Sequence, residues 1–479
     1  MPQQSESMSR TVAPNLTPIV PLTFYGGLAG ALAPFACFLA GVATLALKGA
    51  PDEKGFWPIL LAALTLGLLL AKDRTRYAES MLDGMSQRVV MVMLCAWLFA
   101  GVLGAVLGAA GFVGALASLA RAAHLTGGAY VAAAFVVCVV VSTATGTSFG
   151  TILLCGPLLY PVGGGANAAP AALMGAILAG ATFGDSISPM SDTTIASSGT
   201  QRVDIGGTVR SRLVYAIPAG LAALVASALL GGAATPAVGT LPTFASGTVQ
   251  SSALLLLFSP ALVISMLLAK RHLIEALLFG IATAVAIALA LGLLTPFDLL
   301  HVDQATFGAT GVIVDGMQRA VGVSIFTLLL VALVGTLQAT DALDRLVRAA
   351  QGRASTSRGA ESWIVGVVSA AVLLTTHSVV AILAVGEFAR QTGERFGVSG
   401  YRRANLLDMT VCTWPFLLPY FLPTILAASA SKSGVAFGMP AVSAGAVGLY
   451  NTYAWALAAA VLIAVTTGYG RAREVDVDG

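Results

Sequence analysis

Between Ala171 and Arg202 the chain holds one long apolar run broken by a single polar cluster. Ala171–Gly184 carries no charge. An unbroken helix from Ala171 to Gln201 would be about 46 Å long, whereas one bilayer crossing needs roughly 20 residues. The segment is too long for one straight crossing and too short for two. A crossing interrupted near Asp185 to Pro189 satisfies both limits. The interruption falls in Gly184-Asp185-Ser186-Ile187-Ser188-Pro189-Met190-Ser191-Asp192-Thr193-Thr194. It places carboxylates well below a membrane surface, where charge is expensive and usually functional.

The rest of the chain fits this setting. Only 10% of the 479 residues are charged, against about a quarter in soluble domains. No polar block is large enough for a soluble domain. The expected fold is an all-α polytopic membrane protein, with residues 22–470 as a single membrane domain. A polar N-terminal tail (1–21) and a polar C-terminal tail (471–479) flank it. The apolar runs are continuous rather than alternating, which argues against a β-barrel. Residues 1–21 lack a basic start followed by a short apolar core, so they read as a cytoplasmic tail rather than a cleaved signal. A net charge of +3 is too small to suggest nucleic acid as a partner. Cys37, Cys95, Cys138, Cys155 and Cys412 form no Cys-x-x-Cys pair and read as small packing residues.

Candidate crossings are Leu22–Leu47, Phe56–Ala71, Val89–Gly111 and the run Ala129–Val141, which resumes at Ile152. After the central break come Leu213–Leu230, Ser252–Ala269, Leu273–Leu294, Val321–Leu337, Trp363–Ala389, Asn405–Ala430 and Tyr450–Tyr469. The runs over 363–389 and 405–430 contain internal breaks. Counting half-crossings gives about 11 to 13 transmembrane segments. Basic loops at Lys72 to Arg88 and at Arg202, Arg210 and Arg212 read as cytoplasmic, as does Lys270-Arg271. Arg345, Arg348, Arg353 and Arg358 mark a further basic loop. These assignments put the N-terminus on the cytoplasmic side. Asp298, Asp303 and Asp315 read as part of an external connection.

Two halves share features in the same order. Asp83-Gly84-Met85-Ser86-Gln87-Arg88 has a counterpart in Asp315-Gly316-Met317-Gln318-Arg319. Thr145-Gly146-Thr147-Ser148 has one in Thr375-Thr376-His377-Ser378. Gly184-Asp185 with Pro189 corresponds to Leu407-Asp408 with Pro415 and Pro419. The shift is roughly 220–230 residues. Repeat one spans about 83–233 and repeat two about 315–470. Interrupted helices in matching places of two halves point to the binding site of a secondary transporter.

A small hard cation needs several oxygen ligands. Asp185, Ser188, Ser191, Asp192, Thr193 and Thr194 offer carboxylates and hydroxyls in one stretch, and Thr147 and Ser148 add more. Ser188-Pro189 reads as an N-cap followed by proline at the first helical position, which would aim a partial positive charge into the site. Burial disfavours an ionised carboxylate, so proton and cation compete for Asp185. If the empty, deprotonated site crosses poorly, that competition yields coupled exchange. Plainer roles stand beside these. Asp192 also fits a brace for the break, and Thr147 and Ser148 fit bonds back to their own helix. His377 suits a substrate contact, a proton relay, or a neutral histidine bonded across helices. Asp408 also fits a salt bridge with Arg403, and Glu387 one with Arg390. Glu275, four residues after Arg271, reads as interfacial. No His-Glu-x-x-His element is present, and His124, His272, His301 and His377 form no metal cluster in the sequence, so no enzyme activity is expected.

The 184–194 stretch resembles the Gly-Asp-x-x-Ser-Pro-Leu-Ser-Asp-Thr-Thr motif of the NhaC-type sodium/proton antiporter family, within the broad ion-transporter superfamily. Thr145–Thr151 is similar to that family's Gly-Thr-Ser-Trp-Gly-Thr stretch, with Phe149 in place of Trp. Leu406-Leu407-Asp408 is similar to its Leu-Glu-Asp run, with Pro419-Tyr420 where Pro-Trp is the pattern. The resemblance spans about residues 85–430 and is weaker in the second half. It implies Na⁺/H⁺ antiport across the cytoplasmic (inner or plasma) membrane. Asp185 would be shared by Na⁺ and H⁺. Asp192, Ser188, Ser191, Thr193, Thr147 and Ser148 would assist, and Asp408 would be the second-repeat counterpart. Na⁺ is then transported ion rather than cofactor, and no other cofactor is expected. The partners are Na⁺, H⁺ and the lipid bilayer, and a homodimer is compatible with this reading. The alternative is cation-coupled antiport or symport of a small organic anion of the malate or lactate type, or of an amino acid, with His377 holding a carboxylate.

Overall fold

The computed structural model describes residues 21–47, 53–232, 251–269, 271–303 and 308–471. Most of the two tails, including the N-terminal segment read as cytoplasmic, lies outside the described residues. The chain is an all-α polytopic membrane protein. Its helices are α1 (Leu28–Leu47), α2 (Trp57–Leu70), α3 (Arg74–Met85), α4 (Arg88–Ala109), α5 (Phe112–Ala122), α6 (Gly128–Thr145) and α7 (Ser148–Leu159). Then follow α8 (Pro170–Ser186), α9 (Asp192–Gln201), α10 (Ile205–Gly231), α11 (Phe258–Leu268), α12 (Leu273–Ala290) and α13 (Pro296–Leu299). A small antiparallel hairpin pairs β1 (His301–Asp303) with β2 (Gly308–Thr310). The remainder is α14 (Val312–Gln338), α15 (Ala342–Ala350), α16 (Ser357–Thr375), α17 (Ser378–Arg395), α18 (Gly400–Val411), α19 (Leu422–Ser431), α20 (Ala444–Leu449) and α21 (Thr452–Thr467). Among the described residues seven helices are long and apolar enough to cross a membrane, and four shorter apolar helices add to them.

The breaks fall where glycine, proline and hydroxyl residues interrupt apolar runs. Between α6 and α7 the chain turns at Gly146, which adopts the left-handed conformation (φ +67). A Cβ there would lie 2.8 Å from the Met190 backbone, so only glycine lets the two breaks of the first half touch. Between α16 and α17 the same turn is made by Thr376 (φ +52). The α8–α9 break spans Ile187 to Ser191, and the α18–α19 break runs through Pro415 and Pro419.

Small residues set how close the helices come. Gly180 and Gly184 lie one turn apart on α8, and α8 packs directly on α6. A Cβ on Gly180 would be 2.3 Å from the Phe135 carbonyl oxygen. Elsewhere the packing crosses between halves: α9 lies against α17 and α18, and α19 against α7.

Several expectations need correction. The stretch Lys72 to Arg88 is not a loop but α3, capped by Asp73, whose carboxylate accepts from the Arg76 amide at 3.0 Å. Its small-residue face packs on α14, with Gly84 against Gly335. Asp315 lies in the first turn of α14 rather than in a connection. Arg345 and Arg348 are on the short helix α15, and Arg358 opens α16. Ser188 is not an N-cap. α9 starts three residues later, with Ser191 as its cap residue and Asp192 first in the helix. The Ser188 hydroxyl instead accepts from the Met190 amide at 3.2 Å, shaping the turn. Arg212 is not a loop residue either: it lies inside α10 and is fully buried.

Candidate functional site

Helix ends from both halves meet around a cavity of about 210 Å³. Thr147 and Ser148 reach it from the start of α7, and Asp185 from the end of α8. Ser191, Asp192 and Thr193 come from the start of α9, and Thr376, His377 and Ser378 from the start of α17. Seven of the residues singled out in the sequence therefore share one cavity: Asp185, Asp192, Ser191, Thr193, Thr147, Ser148 and His377. Ser188 and Asp408 are fully buried and do not line it.

Asp185 is the buried carboxylate of the cavity, at 8% exposure. The Ser148 and Ser191 hydroxyls lie beside it. Its Oδ1 is buried and accepts no hydrogen bond. A buried carboxylate oxygen without a donor is costly unless a proton or a cation meets it. The Ser191 and Thr193 hydroxyls are 3.0 Å apart, which joins the Thr193 oxygen to this group. The Thr147 side chain caps α7 by accepting from the Gly150 amide at 3.3 Å. Asp192 differs from Asp185 in being exposed. His377 is the cap residue of α17, and its Nδ1 is buried with no partner.

Asp408 has a different environment. Its Oδ2 meets Arg212 Nη2 at 2.6 Å and accepts from the Thr194 hydroxyl at 3.0 Å and the Ser197 hydroxyl at 3.4 Å. Its Oδ1 accepts from the Cys412 thiol at 3.3 Å. The ion pair is with Arg212, not with Arg403 as the sequence spacing allowed. Arg403 instead donates to the Gln201 side chain at 2.9 Å and to the Val398 carbonyl at 2.5 Å. Glu387 is paired with Arg390 at 2.6 Å on an exposed face. Arg212, Ser197, Asn405 and Cys412 are the residues that sequence reasoning missed as parts of this centre. Cys412 lines the cavity itself. Spacing gave no local signal for Arg212, because its partners come from α8, α9 and α18.

A second buried ionic group lies apart from the cavity. Glu361 on α16 is fully buried between Arg402 at 3.2 Å and Arg471 at 2.7 Å. Arg402 also donates to the Tyr469 carbonyl at 2.8 Å and the Ala464 carbonyl at 2.7 Å. This group ties α16 and α18 to the end of α21.

Residues 8–231 match a family model described as the Na⁺/H⁺ antiporter family. The chain is 40% identical over 90 residues to the malate-2H⁺/Na⁺-lactate antiporter of Bacillus subtilis, covering 19% of each chain. It is 31% identical over 156 residues to the Na⁺/H⁺ antiporter NhaC of Alkalihalophilus pseudofirmus, covering 32% of this chain and 34% of that one. It is 37% identical over 107 residues to the arginine/ornithine antiporter ArcD of Halobacterium salinarum, covering 22% of each. The matched segments thus span from about a fifth to a third of these relatives' length.

Proposed function

We propose secondary active exchange of Na⁺ for H⁺, with Asp185 as the carboxylate that the two cations share, for a chain whose residues 8–231 match the Na⁺/H⁺ antiporter family model and which is similar to NhaC antiporters. The observation that carries this reading is Asp185 itself, a buried carboxylate whose Oδ1 accepts no hydrogen bond, on the wall of a cavity that Thr147, Ser148, Ser191 and Thr193 also line. Protonated, Asp185 is neutral and tolerates its apolar surroundings. Deprotonated, it needs a cation, and Ser148, Ser191 and Thr193 stand near enough to help replace the ion's water. Thr147 supports the site by fixing the start of α7. Asp192, at the first position of α9 and open to the cavity, meets the incoming ion and stabilises its helix start. The matching breaks in α6–α7 and α16–α17, and in α8–α9 and α18–α19, support two structural repeats that share one site. We place the protein in the cytoplasmic membrane with its N-terminus inside, on the strength of the basic residues between crossings, Lys72, Arg74 and Arg76 at the start of α3 and Arg202 between α9 and α10.

The test is Asp185→Asn in proteoliposomes. Na⁺-dependent proton movement should be lost while the protein still inserts and purifies as a single species. Near-normal exchange in that variant refutes the assignment. A second reading, exchange of a small organic carboxylate, is favoured by one observation: His377, whose buried Nδ1 has no partner, lines the same cavity at the N-terminus of α17. Movement of labelled lactate or malate under imposed Na⁺ and H⁺ gradients would support it. Absence of such movement alongside active Na⁺/H⁺ exchange would remove it.

A further inference from the structure

Both halves place a buried aspartate near the end of a broken helix, Asp185 on α8 and Asp408 on α18. The two carboxylates are treated in opposite ways. Asp185 Oδ1 has no partner. Asp408 is satisfied on both oxygens, by Arg212, Thr194, Ser197 and Cys412. The Arg212 guanidinium is itself held on its other sides. Nε donates to Asn405 Oδ1 at 3.0 Å, and Nη1 donates to the Ser186 carbonyl at 2.7 Å and to Thr194 Oγ1 at 2.8 Å. A carboxylate, a carbonyl at a helix end, a hydroxyl and an amide oxygen therefore converge on one fixed positive charge. These are the ligand classes that hold a hard metal cation.

We infer that the Arg212 guanidinium fills the second half's counterpart of the Asp185 site, acting as a built-in cation that leaves Asp185 as the exchangeable carboxylate of the pair. The inference rests on reading Asp185 as the exchange site. Geometry makes the substitution effective. Arginine is always charged and delivers its donors in a rigid fork. It cannot leave, so the second carboxylate cannot release or capture a transported ion. Arg212 is thus a positioning and specificity residue that limits how many cations the paired sites carry. It also ties the end of α8 to α9 and α18, next to the residue that exchanges.

The test is equilibrium binding of radiolabelled sodium to the purified full chain at alkaline pH. Arg212→Gln removes the charge and keeps an amide donor. It should bind one more Na⁺ per chain than the parent and gain a larger Na⁺-dependent rise in melting temperature. The double variant Arg212→Gln/Asp408→Asn should return to the parent count. A folded Arg212→Gln chain with the parent count overturns the inference. If Arg212→Gln does not purify as a folded species, Asp408→Asn decides instead. It should keep the parent's count, because Asp408 holds Arg212 and not the ion, whereas loss of one Na⁺ overturns the inference. Asp185→Asn is the separate control. Undiminished Na⁺ binding there refutes the exchange-site reading, whatever the Arg212 variants show.

Discussion

Gly184 offers a sharp test of how packing sets the geometry of the proposed ion site. It precedes Asp185 directly and faces α6. A Cβ at this position would lie 2.5 Å from the Val139 carbonyl oxygen, 2.6 Å from Ser142 Cβ and 2.8 Å from the Thr143 nitrogen. Carbon–oxygen contacts settle near 3.3 Å and carbon–carbon contacts near 3.5–4.0 Å. The first and third obstacles are backbone and cannot rotate away. Gly184→Ala must therefore push α8 off α6 by about 1 Å. Overpacking of this kind costs about 1–3 kcal/mol. The displacement is passed to Asp185, and misplacements of about 1 Å can cost roughly a hundredfold where geometry matters. We expect a lower melting temperature in detergent and at least a tenfold rise in the Na⁺ concentration for half-maximal proton movement, equivalent to about 1.4 kcal/mol. Gly199→Ala in α9 is the matched control. Nothing lies within 4 Å of its Cβ position, so it should stabilise by up to about 1 kcal/mol through helix propensity. A Gly184→Ala protein with parental stability and parental Na⁺ dependence would refute the reasoning.

Three further outcomes follow from the fold. Thr376 holds a left-handed conformation that costs a side-chain-bearing residue about 1–2 kcal/mol. Thr376→Gly relieves this but loses about 0.5–1 kcal/mol to chain entropy, so its melting temperature should rise slightly, and a clear fall would refute the strain. Glu361→Ala strips the partner from Arg402 and Arg471. Breaking a buried pair costs about 3–5 kcal/mol, so unchanged thermal stability would show that the group contributes little. At the start of α10, the Tyr401 hydroxyl beside Asp204 holds that carboxyl below its ordinary range, helped by the Gly207 amide. The resulting stability is present above the ordinary carboxylate range and is lost as pH falls through the lowered value. Tyr401→Phe should move this acid loss to higher pH in melts recorded against pH, and an unmoved acid limb would count against it.

The breaks were legible in the sequence because glycine, proline and clustered hydroxyls are conspicuous inside apolar runs. Gly146, His377 and Ser188 all fall within turns between helices. The gathering of Asp185, Thr147 and His377 at one cavity was anticipated by their order in the two halves. Arg212 was hidden for a physical reason. A basic residue near Arg202 and Arg210 looks like the positive rim of a crossing, and only the fold brings Asp408 to it. α3 was hidden because most of its residues are polar and it buries only Tyr77, Ser80 and Gly84, too few for an apolar run. The start of α9 was misplaced because Ser-Pro is a good cap signal, yet here Ser188 serves the turn before the helix.

The packing of α9 between α17 and α18, and of α19 against α7, has a consequence for how the protein is made. As the chain emerges, α9 is synthesised long before the helices that cover it. Until they arrive, the polar face carrying Thr194, Ser197 and Gln201 has no partner from the second half, and Arg212 has no Asp408. A membrane offers such groups no water to replace those contacts. Assembly of the centre must therefore come late, after α18 is in place. A chain truncated before α17 would leave its most expensive charge, the Arg212 guanidinium, exposed to the cell's quality control.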